Sequence, residues 1–219
     1  MLIDNFTPGS LETLVVPEGT YDLAVYSDGE GPDGGTAVLE AAGVEVPGGA
    51  NATVTANLDG DGNAALNVFV NDISEVAAGD ARLTVRHVAA APAVDIRADG
   101  SVLVENLVNP EEAIADVAAG PYTADVVLQG TDTVAIGPAD LSLGEGTNTI
   151  VYAWGSAEAG NLALAVQVVD GLDGAPAGVA AGGGSTAATG LLPAWTAGLM
   201  ALGALGAVGA MARVARHRA

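Results

Sequence analysis

The fold predicted from this sequence is all-β: tandem immunoglobulin-like antiparallel β-sandwich domains followed by one C-terminal transmembrane helix. Three observations predict it. Short apolar or alternating runs are punctuated by Gly, Pro, Asn and Asp, as strands are. The body of the chain repeats itself. Near its end, Leu191 to Ala212 is a run of 22 residues without a charged side chain, closed by Arg213-Val214-Ala215-Arg216-His217-Arg218.

The self-similarity defines two domains. Leu2-Ile3-Asp4-Asn5-Phe6 matches Leu103-Val104-Glu105-Asn106-Leu107, and Pro17-Glu18-Gly19-Thr20-Tyr21 matches Ala118-Ala119-Gly120-Pro121-Tyr122. After a short deletion, Val46 to Asn51 matches Leu143 to Asn148, and Leu66 to Asp72 matches Leu164 to Asp170. Such internal repetition signals one structural unit used twice. Residues 1–78 form the first sandwich and 79–172 the second. In the first, Thr20 to Tyr26, Asn51 to Asn57 and Ala65 to Asn71 read as strands.

In the second, the expected strands are Arg82 to Val88, Val94 to Ala98, Ser101 to Leu107, Ala113 to Val117, Tyr122 to Leu128, Thr133 to Ile136, Thr147 to Trp154 and Leu162 to Val169. Asp99-Gly100 predicts a hairpin turn, because a type I′ turn needs positive φ at both central residues. Tyr21 and Tyr122, each two residues after a Gly, are expected to anchor the sandwich cores. The second domain carries about 20 residues, from Arg82 to Ser101, that the first lacks, two strands' worth. The first is therefore read as N-terminally incomplete, with the expectation that two strands and a signal peptide lie upstream.

Apart from Asp173, Pro176 and Val179, residues 173–190 are Gly, Ala, Ser and Thr with no apolar periodicity, which reads as a flexible stalk. A stalk of this length reaches about 25 Å. Residues 191–212 are then a spanning helix, since about 20 apolar residues cross a hydrocarbon core. The arginines of the 213–219 tail place that end in the cytoplasm and the bulk of the chain outside a cell membrane crossed once.

The charge agrees with display in water. All 27 Asp and Glu precede residue 174, facing only Arg82, Arg86 and Arg97, so the body carries −24. Such a surface repels phosphate backbones and excludes nucleic acid as a partner. Zero cysteines remove disulfides, thiolate metal sites and a Cys nucleophile.

Val85-Arg86-His87-Val88-Ala89-Ala90-Ala91-Pro92-Ala93-Val94-Asp95-Ile96 resembles the opening of the domain of unknown function 4397 family (DUF4397). There a strand ends near a His, a small-residue and Pro loop follows, and Val-Asp begins a second strand. Asp99-Gly100 and the Gly-x-Tyr turn at Gly120-Pro121-Tyr122 continue the likeness, which covers Arg82 to Gly171 and, through the repeat, Met1 to Asp72. It departs at Ala89-Ala90-Ala91, where many members insert Ser-Pro-Asp. The resemblance implies an exported, surface-attached protein and transfers no catalytic residue.

Candidate chemistry is sparse, and the expectation is a protein that is not an enzyme. His87 is the body's one histidine, with no Gly-x-Ser-x-Gly elbow to make it part of a triad; a strand-end His bonded to backbone is the expected role. Asp59, Asp61 and Asn63 have the alternate spacing that converges oxygens on Ca²⁺, but the twelfth position is Val70 where a bidentate acid is needed. They are a candidate calcium site or a polar turn, and no other cofactor is expected. Tyr152 and Trp154 share a face by period two: outward, they form a platform for a cell-surface glycan or protein partner; inward, they are core. The expected function is surface display, adhesion or envelope structure, with a cation- or carbohydrate-binding module as the alternative.

Overall fold

Alternation and turn chemistry resolve into twelve strands in the computed structural model, which describes residues 3–173. In chain order they are β1 (Gly19–Val25), β2 (Leu39–Val46), β3 (Ala52–Leu58), β4 (Ala64–Val70), β5 (Asp80–Ala90), β6 (Val94–Ala98), β7 (Ser101–Leu107), β8 (Glu112–Ala118), β9 (Gly120–Leu128), β10 (Val134–Leu143), β11 (Asn148–Ser156) and β12 (Ala163–Val169). There is no helix among the described residues, and none therefore long and apolar enough to cross a membrane. The expected stalk, span and basic tail, 174–219, lie outside the described residues.

β5 to β12 make two four-stranded sheets, ordered β10-β9-β6-β7 and β12-β11-β5-β8. Neighbours are antiparallel except β5 and β11, which run parallel. Between the sheets Ala81, Leu83, Val85, Val94, Ile96, Leu107, Val126, Leu143 and Val151 form one buried cluster. Each of the Val, Leu and Ile side chains among them is worth about 1.5–3 kcal/mol when removed from water, which is why alternation along these strands is kept. The predicted Asp99-Gly100 turn is present, with φ of 50° and 76°. Tyr122 donates its hydroxyl to the Ala118 carbonyl at 2.8 Å, a link between strands of the two sheets resembling the tyrosine corner of immunoglobulin-like sandwiches.

The N-terminal part is built more sparingly. β1 pairs with β2 and β3 with β4, two separate hairpin ladders. They repeat the registers of the C-terminal part: Gly19 faces Val46 as Gly120 faces Leu143, and Val54 faces Val68 as Val151 faces Val166. Tyr21 donates to the Pro17 carbonyl at 2.6 Å, as Tyr122 does to Ala118. Asn5 and Asn106, matched in sequence, both hold positive φ, 54° and 55°.

Residues 3–17 align with β7 and β8 yet form no strand. In the C-terminal sandwich β7 pairs only with β6 and β8 only with β5. Among the described residues no strand lies beside 3–17, so their N–H and C=O groups are left to water and the extended run stays irregular. Residues 3–70 contain no counterpart of β5 or β6.

Two elements went beyond the expected pattern. β2 was absent from it because Leu39-Glu40-Ala41-Ala42-Gly43-Val44-Glu45-Val46 breaks strict alternation; the ladder slips between Tyr21 and Leu23, and Asp22 Oδ1 accepts the Gly43 N–H at 2.8 Å. β10 runs past Ile136 to Leu143, with register shifts on both sides of Ile136 that hide its period.

Candidate functional site

The described residues fall in one compact unit, and its most concentrated chemistry lies where the β3–β4 hairpin covers the outer face of β5, β11 and β12. Alternation along β5 explains the seam. Ala81, Leu83 and Val85 point into the sandwich core, so Arg82, Thr84, Arg86 and Val88 point to the opposite face, and Asn148, Ile150 and Tyr152 of β11 join them. Phe69 of β4 closes over this face, in one buried cluster with Val88, Ile150 and Tyr152.

Arg86 is the centre of the seam and is fully buried. Its Nε donates to Glu112 Oε2 at 2.8 Å, Nη1 to the Tyr152 hydroxyl at 2.8 Å, and Nη2 to Asn71 Oδ1 at 2.7 Å. The guanidinium lies 4.3 Å from the Phe69 ring centroid and 5.4 Å from that of Tyr152, so two π faces add to the three acceptors. Tyr152 in turn donates its own hydroxyl hydrogen bond to Gln167 Oε1 at 2.7 Å. Asn71 Nδ2 donates to Asn51 Oδ1 at 2.6 Å, and Thr53 Oγ1 reaches Gln167 Oε1 at 3.3 Å.

Arg82 lies two pleat repeats away on the same face of β5. It forks onto both oxygens of Asp116, at 2.8 and 3.0 Å, and its Nη1 meets Ser74 Oγ and Asp72 Oδ1 at 2.9 Å each. Nearby, Thr84 donates to Asn148 Oδ1 and Asn148 Nδ2 to the Asp72 carbonyl. Buried charge is tolerated only when paired and hydrogen-bonded, and these groups are. Arg97, the third basic residue, forks onto Asp125 at 2.7 Å and holds that carboxyl below its ordinary range.

The residues singled out in the sequence are placed as follows. His87 is 1 % exposed; its Nε2 lies 3.0 Å from the Pro92 carbonyl and Nδ1 3.4 Å from the Ala89 N–H, so both ring nitrogens face backbone. Burial holds its pKa below the ordinary 6.5. Asp95 stitches the fold: its carboxylate accepts the N–H of Asn106 and of Gly130, each at 2.8 Å, which lowers its pKa. The bulge in β7 opposite Asp95 is thereby fixed, giving the Val-Asp pair a structural reason.

Asp59, Asp61 and Asn63 form the turn between β3 and β4. Asp59 Oδ1 accepts the N–H groups of Asp61 and Asn63 at 3.0 and 2.8 Å, and its Oδ2 accepts from Asn63 Nδ2 at 3.2 Å. These bonds, those from Asn63 first, lower the Asp59 pKa. The turn thus engages both Asp59 oxygens with its own amides. Among the described residues, no three His, Cys, Asp or Glu side chains group as metal ligands do.

Tyr152 and Trp154 do share a face, and that face points away from the core between the two sheets. Tyr152 is nevertheless 3 % exposed, because Phe69 and the β3–β4 hairpin lie against it. Tyr152 thus lies in a buried cluster that the N-terminal hairpin completes. Trp154 packs against the same cluster at its edge and close to Gly9, where an added Cβ would stand 2.9 Å from the Trp154 ring.

Arg86, Phe69, Asn71 and Gln167 are not among the candidate site residues the sequence offers. One signal was present: the body's first two basic residues sit four apart on a strand whose alternate positions are apolar, which puts both on one face. A void of about 50 Å³ inside the sandwich, lined by Leu83, Ile96, Tyr122 and Val151, is well below the roughly 300 Å³ of small-molecule pockets.

The class of protein these features define is an acidic all-β body whose buried polar groups are used to join its parts. Residues 2–97 match the family described as Domain of unknown function (DUF4397), which supports that family over the N-terminal hairpins and the Val85 to Ile96 motif. β7 to β12 lie beyond the matched segment, where the sequence resemblance had been drawn through Gly171. No curated protein and no solved structure matches the chain.

Proposed function

We propose that this chain is a non-enzymatic, membrane-anchored surface protein. Its acidic β body is two immunoglobulin-like units of the DUF4397 kind, held outside the cell on a short stalk. It serves display, adhesion or envelope structure. The observation that carries the reading is the uncharged run from Leu191 to Ala212 followed by three arginines, set against a body with 27 acids and three bases. A span with a basic flank on one side takes the orientation that keeps the arginines inside. The seam around Arg86 supports a mechanical rather than a catalytic body: its charged groups bond one another instead of converging on an open cleft.

Protease added to intact cells tests this directly. The body is expected to be degraded while a small C-terminal fragment stays with the membrane and is released only by detergent. Full protection of the body in intact cells, or a full-length chain soluble without detergent, would overturn the proposal.

A further inference from the structure

Asn-x-Thr, with x other than Pro, is the triplet at which exported proteins accept a glycan on the asparagine nitrogen. The chain holds it twice, at Asn5-Phe6-Thr7 and Asn51-Ala52-Thr53. The fold treats the two very differently.

Asn51 and Thr53 are built into the seam. Asn51 Oδ1 accepts from Asn71 Nδ2 at 2.6 Å, and the Asn51 carbonyl accepts the Asn71 N–H at 2.8 Å. Thr53 Oγ1 accepts from the same Asn71 Nδ2 at 3.1 Å and reaches Gln167 Oε1 at 3.3 Å. Asn71 is itself buried and bonded to Arg86. The carboxamide of this triplet is fixed, and its hydroxyl is taken up within the fold.

Asn5 and Thr7 are both exposed. That exposure belongs to the place in the fold. The counterpart Asn106, which sits in the complete C-terminal sandwich, is exposed too, and its φ is 55° against 54° for Asn5. Asn tolerates this left-handed conformation, which accounts for an Asn at both places. It does not account for Thr7, because the second repeat has Val108 there. The turn that follows is closed by Ser10, whose Oγ accepts the Thr7 N–H at 3.1 Å and donates to the Thr7 carbonyl at 2.7 Å. Those bonds use only the backbone of Thr7. Its hydroxyl is left for a transferase to read.

We propose that Asn5 is a glycan attachment site and that Asn51 stays bare. The donor is a glycan carried on a lipid phosphate. The Asn5 carboxamide nitrogen forms a bond to the anomeric carbon, and the bond from that carbon to the phosphate oxygen breaks. The lipid phosphate leaves with the electron pair, and the amide proton passes to a base of the transferase. No oxidation or reduction is involved. The inference rests on the surface location proposed above, since glycan transfer of this kind takes place on the exported side of a membrane.

The test uses the full chain, extracted in neutral detergent from membranes of the cells that make it. Cleavage after glutamate separates the two triplets: the fragment ending at Glu12 carries Asn5, and fragment 46–75 carries Asn51. Mass spectrometry is expected to find the first fragment heavier by whole sugar residues and the second at its unmodified mass. Asn5→Asp and Thr7→Val should each abolish the added mass, and Thr7→Ser should retain it. All three should leave the melting temperature unchanged, because both positions are exposed. Protease added to the same intact cells reports location independently. A bare Asn5 in a body that protease reaches would overturn this inference and leave the surface reading standing; a bare Asn5 in a body that protease spares would overturn both. Added mass that survives Thr7→Val, or that is found on fragment 46–75, would also overturn it.

Discussion

Replacing Arg86 with Ala should be the most damaging single substitution on the seam. The guanidinium has no water to fall back on, and three acceptors depend on it: Glu112, the Tyr152 hydroxyl and Asn71. Removing one member of a buried pair costs about 3–5 kcal/mol. Glu112 is partly exposed and can recover some hydration, which pulls toward the lower figure. The lost stacking on Phe69 and Tyr152, worth about 2 kcal/mol when desolvated, pulls the other way. At about 2–4 °C per kcal/mol for a unit of this size, the melting temperature should fall by roughly 6–20 °C. Thermal and urea unfolding of the full chain in detergent measure it. A double-mutant cycle with Phe69→Leu should show coupling of about 0.5–3 kcal/mol, since the two side chains touch across the seam. A loss below about 1 kcal/mol for Arg86→Ala, or additive single effects in the cycle, would refute the reasoning that this guanidinium joins the two parts.

Further outcomes follow from other groups. Burial lowers the His87 pKa, so below about 6.5 the unfolded chain takes up a proton that the native chain refuses. Stability should therefore decline on acidification through that range, and His87→Gln should flatten the decline in urea midpoints measured against pH. Asp95 has the opposite chemistry: its depressed pKa stabilises the fold at neutral pH, and that contribution is lost as pH falls from about 4 through the native value. Asp95→Asn should lower the neutral-pH urea midpoint and reduce its acid dependence; an unchanged midpoint would count against the role given to the β7 bulge. Tyr122→Phe should cost about 0.5–1.5 kcal/mol by removing the bond to Ala118, read from the same unfolding curves.

Much of the strand pattern could be read before the structure because the turns are chemically explicit. Asp99-Gly100 specifies its own φ values, the apolar positions of β5 recur every second residue from Ala81 to Val85, and β11 carries a continuous apolar run. β2 and β10 escaped where the ladder slips, because a bulge moves the apolar set to the other face and cancels the period on which the reading depends. His87 was expected on backbone and is found there. The seam was hidden for a different reason. Tyr152 sits on the outer face of its own sandwich, and that face is buried only because Phe69 arrives from more than 80 residues away. Alternation within one strand says which residues share a face; it does not say what covers that face.

The way the two parts meet has its own logic. Corresponding strands β3 and β11 present corresponding faces to each other, but with different side chains: Thr53, Thr55 and Asn57 on one, Ile150, Tyr152 and Trp154 on the other. Thr53 reaches Gln167 across the seam, and their counterparts, Ile150 and Phe69, lie in the one buried cluster. The contact therefore relates the two parts as a two-fold axis would, the same patch being used on both sides. A patch that meets its own counterpart is closed, and it leaves no copy of itself exposed for a third unit. The divergence of the faces, small and polar against large and aromatic, makes the pairing selective. Two N-terminal faces would bring Phe69 against polar Thr and Asn, with no guanidinium to lie over it. Two C-terminal faces would bury Arg82 and Arg86 against their own copies. The sequence differences between the repeats thus favour the hetero-pairing seen here over either self-pairing.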